Sequence, residues 1–214
     1  MGWELRYFFS PSISNVVEDK LLSLLKESSS FKNGEQRTDI YLQLNHPNIG
    51  VKFRGDIENN KGYLEYKIRT ETKKSGSERW SKKSIGVVQK SEDEIKHSVI
   101  SSIKEIKKLP NFNLSQDLIY CDKLRKKIIL QDYSVLGLSN IGKSVILEVA
   151  KLKIRNESNE SIGNFFSFNL EGAGPKYLKP VGEKIIEILN VNENDYYCNG
   201  YPEFLIKITK NTIK

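Results

Sequence analysis

Residues 37–69 carry three strand-like runs in succession, which read RTDIY at 37–41, GVKFR at 50–54 and LEYKIR at 64–69. In each run apolar and polar side chains alternate, and a period of two is typical of a β-strand with one buried face. The polar positions are mostly ionic, whereas an ordinary half-exposed sheet mixes Thr, Ser, Lys and Glu there. The pattern predicts consecutive antiparallel strands that share one strongly charged face.

The same alternation recurs along the rest of the chain, with helical patterns between the strands. The predicted strands are residues 2–9, 37–44, 49–55, 63–70, 78–88, 118–130, 144–154 and 162–170. The predicted helices are residues 14–26, with Ser14 as N-cap, 91–107 and 176–189, and a short closing helix that starts within 200–205. No repeat, low-complexity segment or linker divides this order, so we expect residues 1–214 to form one domain.

The charged faces allow two arrangements of the sheet. The polar face carries Glu4, Arg6, Arg37, Asp39, Lys52, Arg54, Glu65, Lys67, Arg69, Lys123, Arg125, Lys127, Ser167, Asn169 and Glu171. In an open sheet these side chains would be solvated and of little individual significance. In a closed barrel they would line the lumen, the apolar face would take the helices, and a cationic lumen would hold water and a multivalent anion. Alternation alone leaves both arrangements open.

Composition limits the partners and the location. Lys and Arg total 34 against 27 Asp and Glu, for a net charge of +7, which favours anionic partners such as nucleotides, polyphosphate or nucleic acid. No apolar run approaches the roughly 20 residues that span a bilayer, and no signal-peptide core is present at the N-terminus. Cys121 and Cys198 are far apart and predict free thiols, so we expect a cytoplasmic protein without a membrane partner. With so few soft ligands, a bound metal would be a hard one held by carboxylates.

The order of the motifs resembles that of the CYTH domains, the triphosphate tunnel metalloenzymes. The three runs quoted above stand where that family has an Asp-x-Tyr strand, an Arg-rich strand and a Lys-bearing strand. Later segments that also resemble the family are KLR at 123–125, ILEV at 146–149, SFNLE at 167–171 and YPEFL at 201–205. The resemblance covers nearly the whole chain, and it implies an α+β fold with a closed eight-stranded antiparallel β-barrel and helices packed outside.

The resemblance also implies an activity and its residues. The activity is metal-dependent hydrolysis of an inorganic or organic triphosphate bound in the tunnel. The implied phosphate-binding residues are Arg6, Lys52, Arg54, Lys67, Arg69, Lys123 and Arg125. The implied ligands of Mg²⁺ or Mn²⁺ are Glu4, Glu65, Glu148 and Glu171, of which Glu4, Glu65 and Glu171 are the catalytic candidates as metal ligands or water orienters.

Two departures from the family pattern keep alternatives open. The first-strand signature Glu-x-Glu-x-Lys is reduced to Gly2-x-Glu4-x-Arg6, and the late Glu-x-Glu pair to Asn169-x-Glu171. The loss of two carboxylates weakens hard-metal binding, so the tunnel could bind polyphosphate without cleaving it. A basic nucleic-acid-binding barrel is a further alternative, although acids among the bases would repel a nucleic-acid backbone.

Overall fold

A computed structural model of the chain describes residues 2–25, 34–56, 61–87, 94, 97, 117–139 and 142–210. Within these residues, eight antiparallel strands close into a barrel and three helices pack outside it, which confirms the predicted α+β class. The alternation of the sequence suits this barrel, because closure sends one face of every strand inward and leaves the other for the helices.

The strands lie close to the alternating segments of the sequence. Their bounds are β1 Trp3–Phe9, β2 Glu35–Leu42, β3 Ile49–Asp56, β4 Lys61–Thr72, β5 Glu78–Val87, β6 Leu118–Leu130, β7 Val145–Asn156 and β8 Ser161–Gly172. Around the barrel they follow the order β5-β4-β3-β2-β6-β7-β8-β1, and β1 pairs with β5 to complete the circle. A short ninth strand, β9 (Tyr196–Cys198), pairs with β1 beside that contact and was not foreseen from the sequence.

Two helices, α1 (Ser14–Leu24) and α2 (Pro175–Leu189), cover the apolar outer face of β1, β7 and β8. The buried residues of this core include Leu5, Tyr7, Phe9, Val17, Leu21, Leu147, Val149, Phe166, Phe168, Leu170, Leu178, Val181 and Ile185. Burial of each large apolar side chain contributes about 1.5–3 kcal/mol, so this cluster holds the helices on the barrel.

The predicted role of Ser14 as N-cap is wrong. Ile13 occupies the N-cap position, and Ser14 is the first helical residue. Its Oγ donates to the carbonyl oxygen of Ser10 at 2.8 Å and accepts the N–H of Phe166 at 3.0 Å. The hydroxyl therefore ties α1 to β8 instead of closing the start of the helix.

The helix predicted at residues 91–107 lies outside the described residues, apart from Glu94 and His97, which are both helical. No helix in the described part of the chain is long and apolar enough to cross a membrane.

A third helix, α3 (Tyr201–Thr209), closes one end of the barrel with apolar side chains. The ring of Phe204 stacks on that of Phe8, with centroids 3.8 Å apart, and meets Phe165 edge to face at 5.1 Å. The helix start comes so close to β3 that a Cβ on Gly50 would lie 2.9 Å from the Pro202 side chain. A glycine at this position therefore lets α3 sit in the barrel end.

We expect Phe204→Ala to lower the free energy of unfolding by about 3–5 kcal/mol, because it removes a fully buried ring from a packed site. Urea denaturation followed by circular dichroism measures the loss. Ile129→Ala is the matched control, since the Ile129 side chain is 62% exposed. An equal loss in the two variants would show that α3 does not seal the barrel.

Candidate functional site

The charged faces of the strands meet in one enclosed space. Lys67 on β4 reaches Glu4 on β1, with Nζ 2.8 Å from the carboxylate, and Arg6 on β1 reaches Glu148 on β7 at 3.2 Å. Neither pair joins neighbouring strands. Contacts of this kind require that the charged face points into the barrel lumen and not outward over an open sheet.

Cations outnumber carboxylates along the lumen. In the described part of the chain the ten inward cations are Arg6, Arg37, Lys52, Arg54, Lys67, Arg69, Lys82, Lys123, Arg125 and Lys127. The seven inward carboxylates are Glu4, Glu35, Asp39, Glu65, Glu78, Glu148 and Glu171. The surplus of positive charge favours an anion as the ligand of this space.

Asp39 on β2 is the centre of the deepest ion cluster, and its side chain is fully buried. Its Oδ1 lies 3.3 Å from Arg37 Nε and 3.1 Å from Arg54 Nε, and its Oδ2 lies 2.9 Å from Lys52 Nζ and 2.8 Å from Lys123 Nζ. Burial alone would raise the pKa of Asp39, but these cations outweigh it and hold the pKa far below its usual value. The carboxylate is therefore ionised at every physiological pH.

The two lysines of this cluster respond differently to burial. Burial lowers the pKa of Lys52 to about 7, although Asp39 opposes the shift. For Lys123 the Asp39 carboxylate and the tyrosines around it outweigh burial and raise the pKa well above its usual value. Lys52 is thus the cation of the cluster that most readily gives up its proton.

Glu65 on β4 is the centre of a second ion cluster. Its carboxylate lies 2.6 Å from Lys82 Nζ, 3.4 Å from Arg54 Nη1 and 3.5 Å from Lys52 Nζ. Burial would raise the pKa of Glu65, but the surrounding cations lower it to about 2. Arg54 and Lys52 are shared with Asp39, so the two clusters form one network.

Glu148 on β7 is the centre of a third cluster, whose cations come from β1 and β6. Its carboxylate lies 2.7 Å from Arg125 Nη1, 3.2 Å from Arg6 Nη2 and 3.9 Å from Lys127 Nζ. These cations overcome the effect of burial and hold the pKa of Glu148 below its usual range. The alternation of β7 therefore turns Glu148 inward, while Lys151 pairs with Glu18 of α1 on the outer face.

Exposure changes along the lumen and identifies the open end. The side chains of Lys82 and Lys127 are 47% and 43% exposed, whereas that of Lys123 is 4% exposed. Glu35, also half-exposed, bridges Arg37 and Arg125 beside the same opening. In the described part of the chain this end of the lumen, here called the mouth, is the more exposed one, and the side chains of Arg125 and Lys123 behind it are 15% and 4% exposed.

The opposite end is closed by the start of α3. The ring of Tyr201 lies 3.7 Å from Lys123 Nζ and 4.7 Å from the Arg6 guanidinium, so it covers two lumen cations. Arg69 pairs with Glu203 of α3 at 3.2 Å. Among the described residues, α3 therefore covers this end of the lumen, and the cations at the mouth are the more exposed ones.

The structure brings most of the predicted phosphate-binding residues together. Those that share the central lumen are Arg6, Lys52, Arg54, Lys67, Lys123 and Arg125. Arg69 lies apart from them, at the α3 end, where it also pairs with Glu78 and Asn48.

The predicted metal ligands form ion pairs with lysines and arginines. Glu4 pairs with Lys67 and Glu171 with Lys127, while Glu65 and Glu148 are held as described above. Glu4 and Glu171 are cross-strand partners, but the described residues contain no group of three or more His, Cys, Asp or Glu placed to hold a metal ion. Each of the four carboxylates is paired with a cation in this arrangement, so Mg²⁺ or Mn²⁺, which take several oxygen ligands at once, would have to displace those cations to be held here.

Among the described residues, the sequence did not point to three aromatic groups of the lumen (Tyr41, Trp80 and Tyr201), two carboxylates (Glu35 and Glu78) and Lys82. Trp80 Nε1 donates to Glu78 Oε2 at 3.0 Å, and Tyr41 Oη accepts from Lys123 Nζ at 2.9 Å beside Tyr201. The period of two in β5 could have placed Glu78 and Trp80 on the inward face with Lys82. No local pattern places Tyr201 there, because it arrives on a helix.

Comparison with known proteins adds little beyond the fold. No family model and no curated protein matches the chain. Among solved structures, a conserved hypothetical protein from Pyrococcus furiosus is similar over 94% of this chain and 98% of its own, with 20% identity and a TM-score of 0.47. A protein from Pyrococcus horikoshii is similar over 97% and 99%, with 16% identity and a TM-score of 0.47. At these values the likeness carries no argument about function.

We expect the protein to lose stability as the pH falls from about 4.5 to about 2, because Glu65 has a lower pKa folded than unfolded. A depressed carboxylate pKa stabilises the fold above the unfolded value, and that contribution is lost as protonation proceeds. Urea denaturation at pH 7, 5 and 3 should show a decline below pH 5 that is smaller in Glu65→Gln by about 2–3 kcal/mol.

Glu183→Gln, at an exposed position of α2, is the control and should decline like the wild type. An unchanged acid dependence in Glu65→Gln would contradict the ion network.

Proposed function

We propose that the protein binds a triphosphate-containing small molecule in the barrel lumen, as a divergent protein of the CYTH type. The observation that carries this proposal is the convergence of cations from six of the described strands on one enclosed space. Phosphate oxygens are strong acceptors for Lys and Arg, and Arg offers paired donors that match their geometry.

Binding has to be an exchange of anions. The cavity beside Lys52 and Lys67, next to the start of α3, measures about 40 Å³, which is too small for a triphosphate while the surrounding carboxylates keep their cations. The exposed cations at the mouth, Lys82 and Lys127, are the first that a ligand meets. Its phosphates would replace glutamate carboxylates on these cations, so affinity reflects the difference between the two sets of ion pairs.

Metal-dependent hydrolysis of the bound triphosphate is a separate proposal. It rests on the resemblance of the motifs and on the presence of Glu4, Glu65 and Glu171 in the same lumen as the cations. All three form ion pairs with lysines or arginines, and a metal ion would have to displace these cations. A tunnel that binds without cleaving uses the same residues.

The interior position of the cations favours this tunnel over a nucleic-acid surface. A nucleic acid needs an exposed basic groove, whereas here the strand cations point inward with carboxylates among them. We also propose a cytoplasmic location, because both cysteines are free thiols and thiols stay reduced in the cytosol.

We expect inorganic triphosphate to bind the wild-type protein and Arg125→Gln to weaken its affinity by roughly 10–100-fold, as loss of a charge-assisted hydrogen bond does. Isothermal titration calorimetry without added metal measures both. Lys153→Gln removes one positive charge from the exposed outer side of β7 and should leave the affinity unchanged. Equal weakening in the two variants would place the anion outside the lumen.

For hydrolysis, we expect phosphate release from triphosphate with Mg²⁺ or Mn²⁺ to stop when a chelator is added and to fall at least about 100-fold in Glu65→Gln. A malachite-green assay measures release, with Glu183→Gln as control. Release that neither the chelator nor Glu65→Gln changes would remove metal-dependent hydrolysis and leave triphosphate binding to be judged by calorimetry.

A further inference from the structure

The carboxylate of Asp39 stands where four cations could hold an external anion. We propose that Asp39 is a resident ligand of the tunnel, filling a subsite that would otherwise take a phosphate-class anion and thereby setting how deep a ligand can enter. This inference rests on the proposed function only in taking the lumen cations to be phosphate-binding.

The contacts of Asp39 exceed what one carboxylate needs. Each of its two oxygens faces two cationic groups, from Arg37 and Arg54 on one side and Lys52 and Lys123 on the other, all within 3.3 Å. Glu65 shares Lys52 and Arg54, and Glu35 shares Arg37, but Asp39 is the carboxylate that contacts all four groups. A phosphate dianion, with twice the charge and twice the oxygens, matches such a group better.

The depth of Asp39 gives it control over ligand length. It is completely buried, and its partners become less exposed inward, from 19% for the side chain of Arg54 to 4% for that of Lys123. An anion that enters at the mouth meets Lys82 and Lys127 first and Arg125 behind them. Beyond them the Asp39 charge repels further phosphoryl groups, so the wild-type protein holds its ligand on the outer cations.

A purely structural role for Asp39 predicts a different response to mutation. Asn has nearly the same shape as Asp and keeps one acceptor oxygen, but it leaves the cluster with uncompensated positive charge. If charge balance is what matters, an external anion restores the stability that Asp39→Asn loses. If the carboxylate serves as a geometric hydrogen-bond anchor, no anion does so.

The experiment compares thermal unfolding in potassium chloride and in potassium phosphate of equal ionic strength at pH 7. The matched control is Asp122→Asn, which removes the same charge from the outer side of β6, where Asp122 accepts from Thr38 at 2.6 Å and pairs with Arg155 at 3.4 Å. We expect Asp39→Asn to melt below the wild type in chloride. Phosphate at about 10–100 times its dissociation constant should raise the Tm of this variant by roughly 5 °C more than that of wild type or Asp122→Asn.

Two outcomes overturn the proposal: an Asp39→Asn protein as stable as wild type in chloride, or one whose response to phosphate equals that of Asp122→Asn. If Asp39→Asn folds in neither salt, the double variant Asp39→Asn/Lys52→Gln removes one cation together with the anion. Folding of the double variant in chloride supports charge balance, and failure of the double variant to fold overturns it. Wild-type triphosphate binding is measured separately, so its absence would refute the proposed function and leave the phosphate response of Asp39→Asn intact as a result.

Discussion

The mutual neutralisation of charges inside the barrel is the constraint on which the rest of the structure depends. Closing an alternating sheet whose polar face is ionic forces charged side chains out of water, and an unpaired buried charge costs several kcal/mol. Asp39, Glu65 and Glu148 meet this demand, since each lies among three or four cations. The lumen can therefore be enclosed before any ligand is present.

This constraint also shapes function. A lumen whose cations are already paired with carboxylates binds an outside anion by exchange, which selects ligands with more charge than a carboxylate. The start of α3 reinforces the selection, because Tyr201 covers Lys123 and Arg6 at the closed end. The outer cations near the mouth keep enough exposure to begin the exchange.

The alternation of the sequence predicted the strands and the side chains that share a face, because period-two patterning is a local rule. It left the closure of the sheet open, and the expectation of a closed barrel came from the resemblance to CYTH domains. The bounds of β6 agree at both ends, and Glu148 points inward, as the resemblance implied. The start of β2 lies two residues before the predicted one, since Glu35 pairs with Arg125 on β6. That pairing joins segments 90 residues apart, which no local window contains.

The details of the site depended on non-local geometry. A register shift in the β4–β5 pairing, between Arg69 and Glu71, lies where Arg69 meets Glu78 and α3, away from the central cations. Which carboxylate meets which cation depends on side-chain reach across the lumen, so the sequence could group the predicted metal ligands but could not foresee their ion pairs. β9 is equally non-local, because three residues pair with the free part of the β1 edge.

The most direct measurement of the central claim is a crystal structure of the protein grown with inorganic triphosphate. The account predicts the anion inside the barrel, in contact with Arg125 and Lys127, with the Glu148 carboxylate displaced from at least one of them. A lumen whose ion pairs are intact while triphosphate binds the outer surface would contradict it.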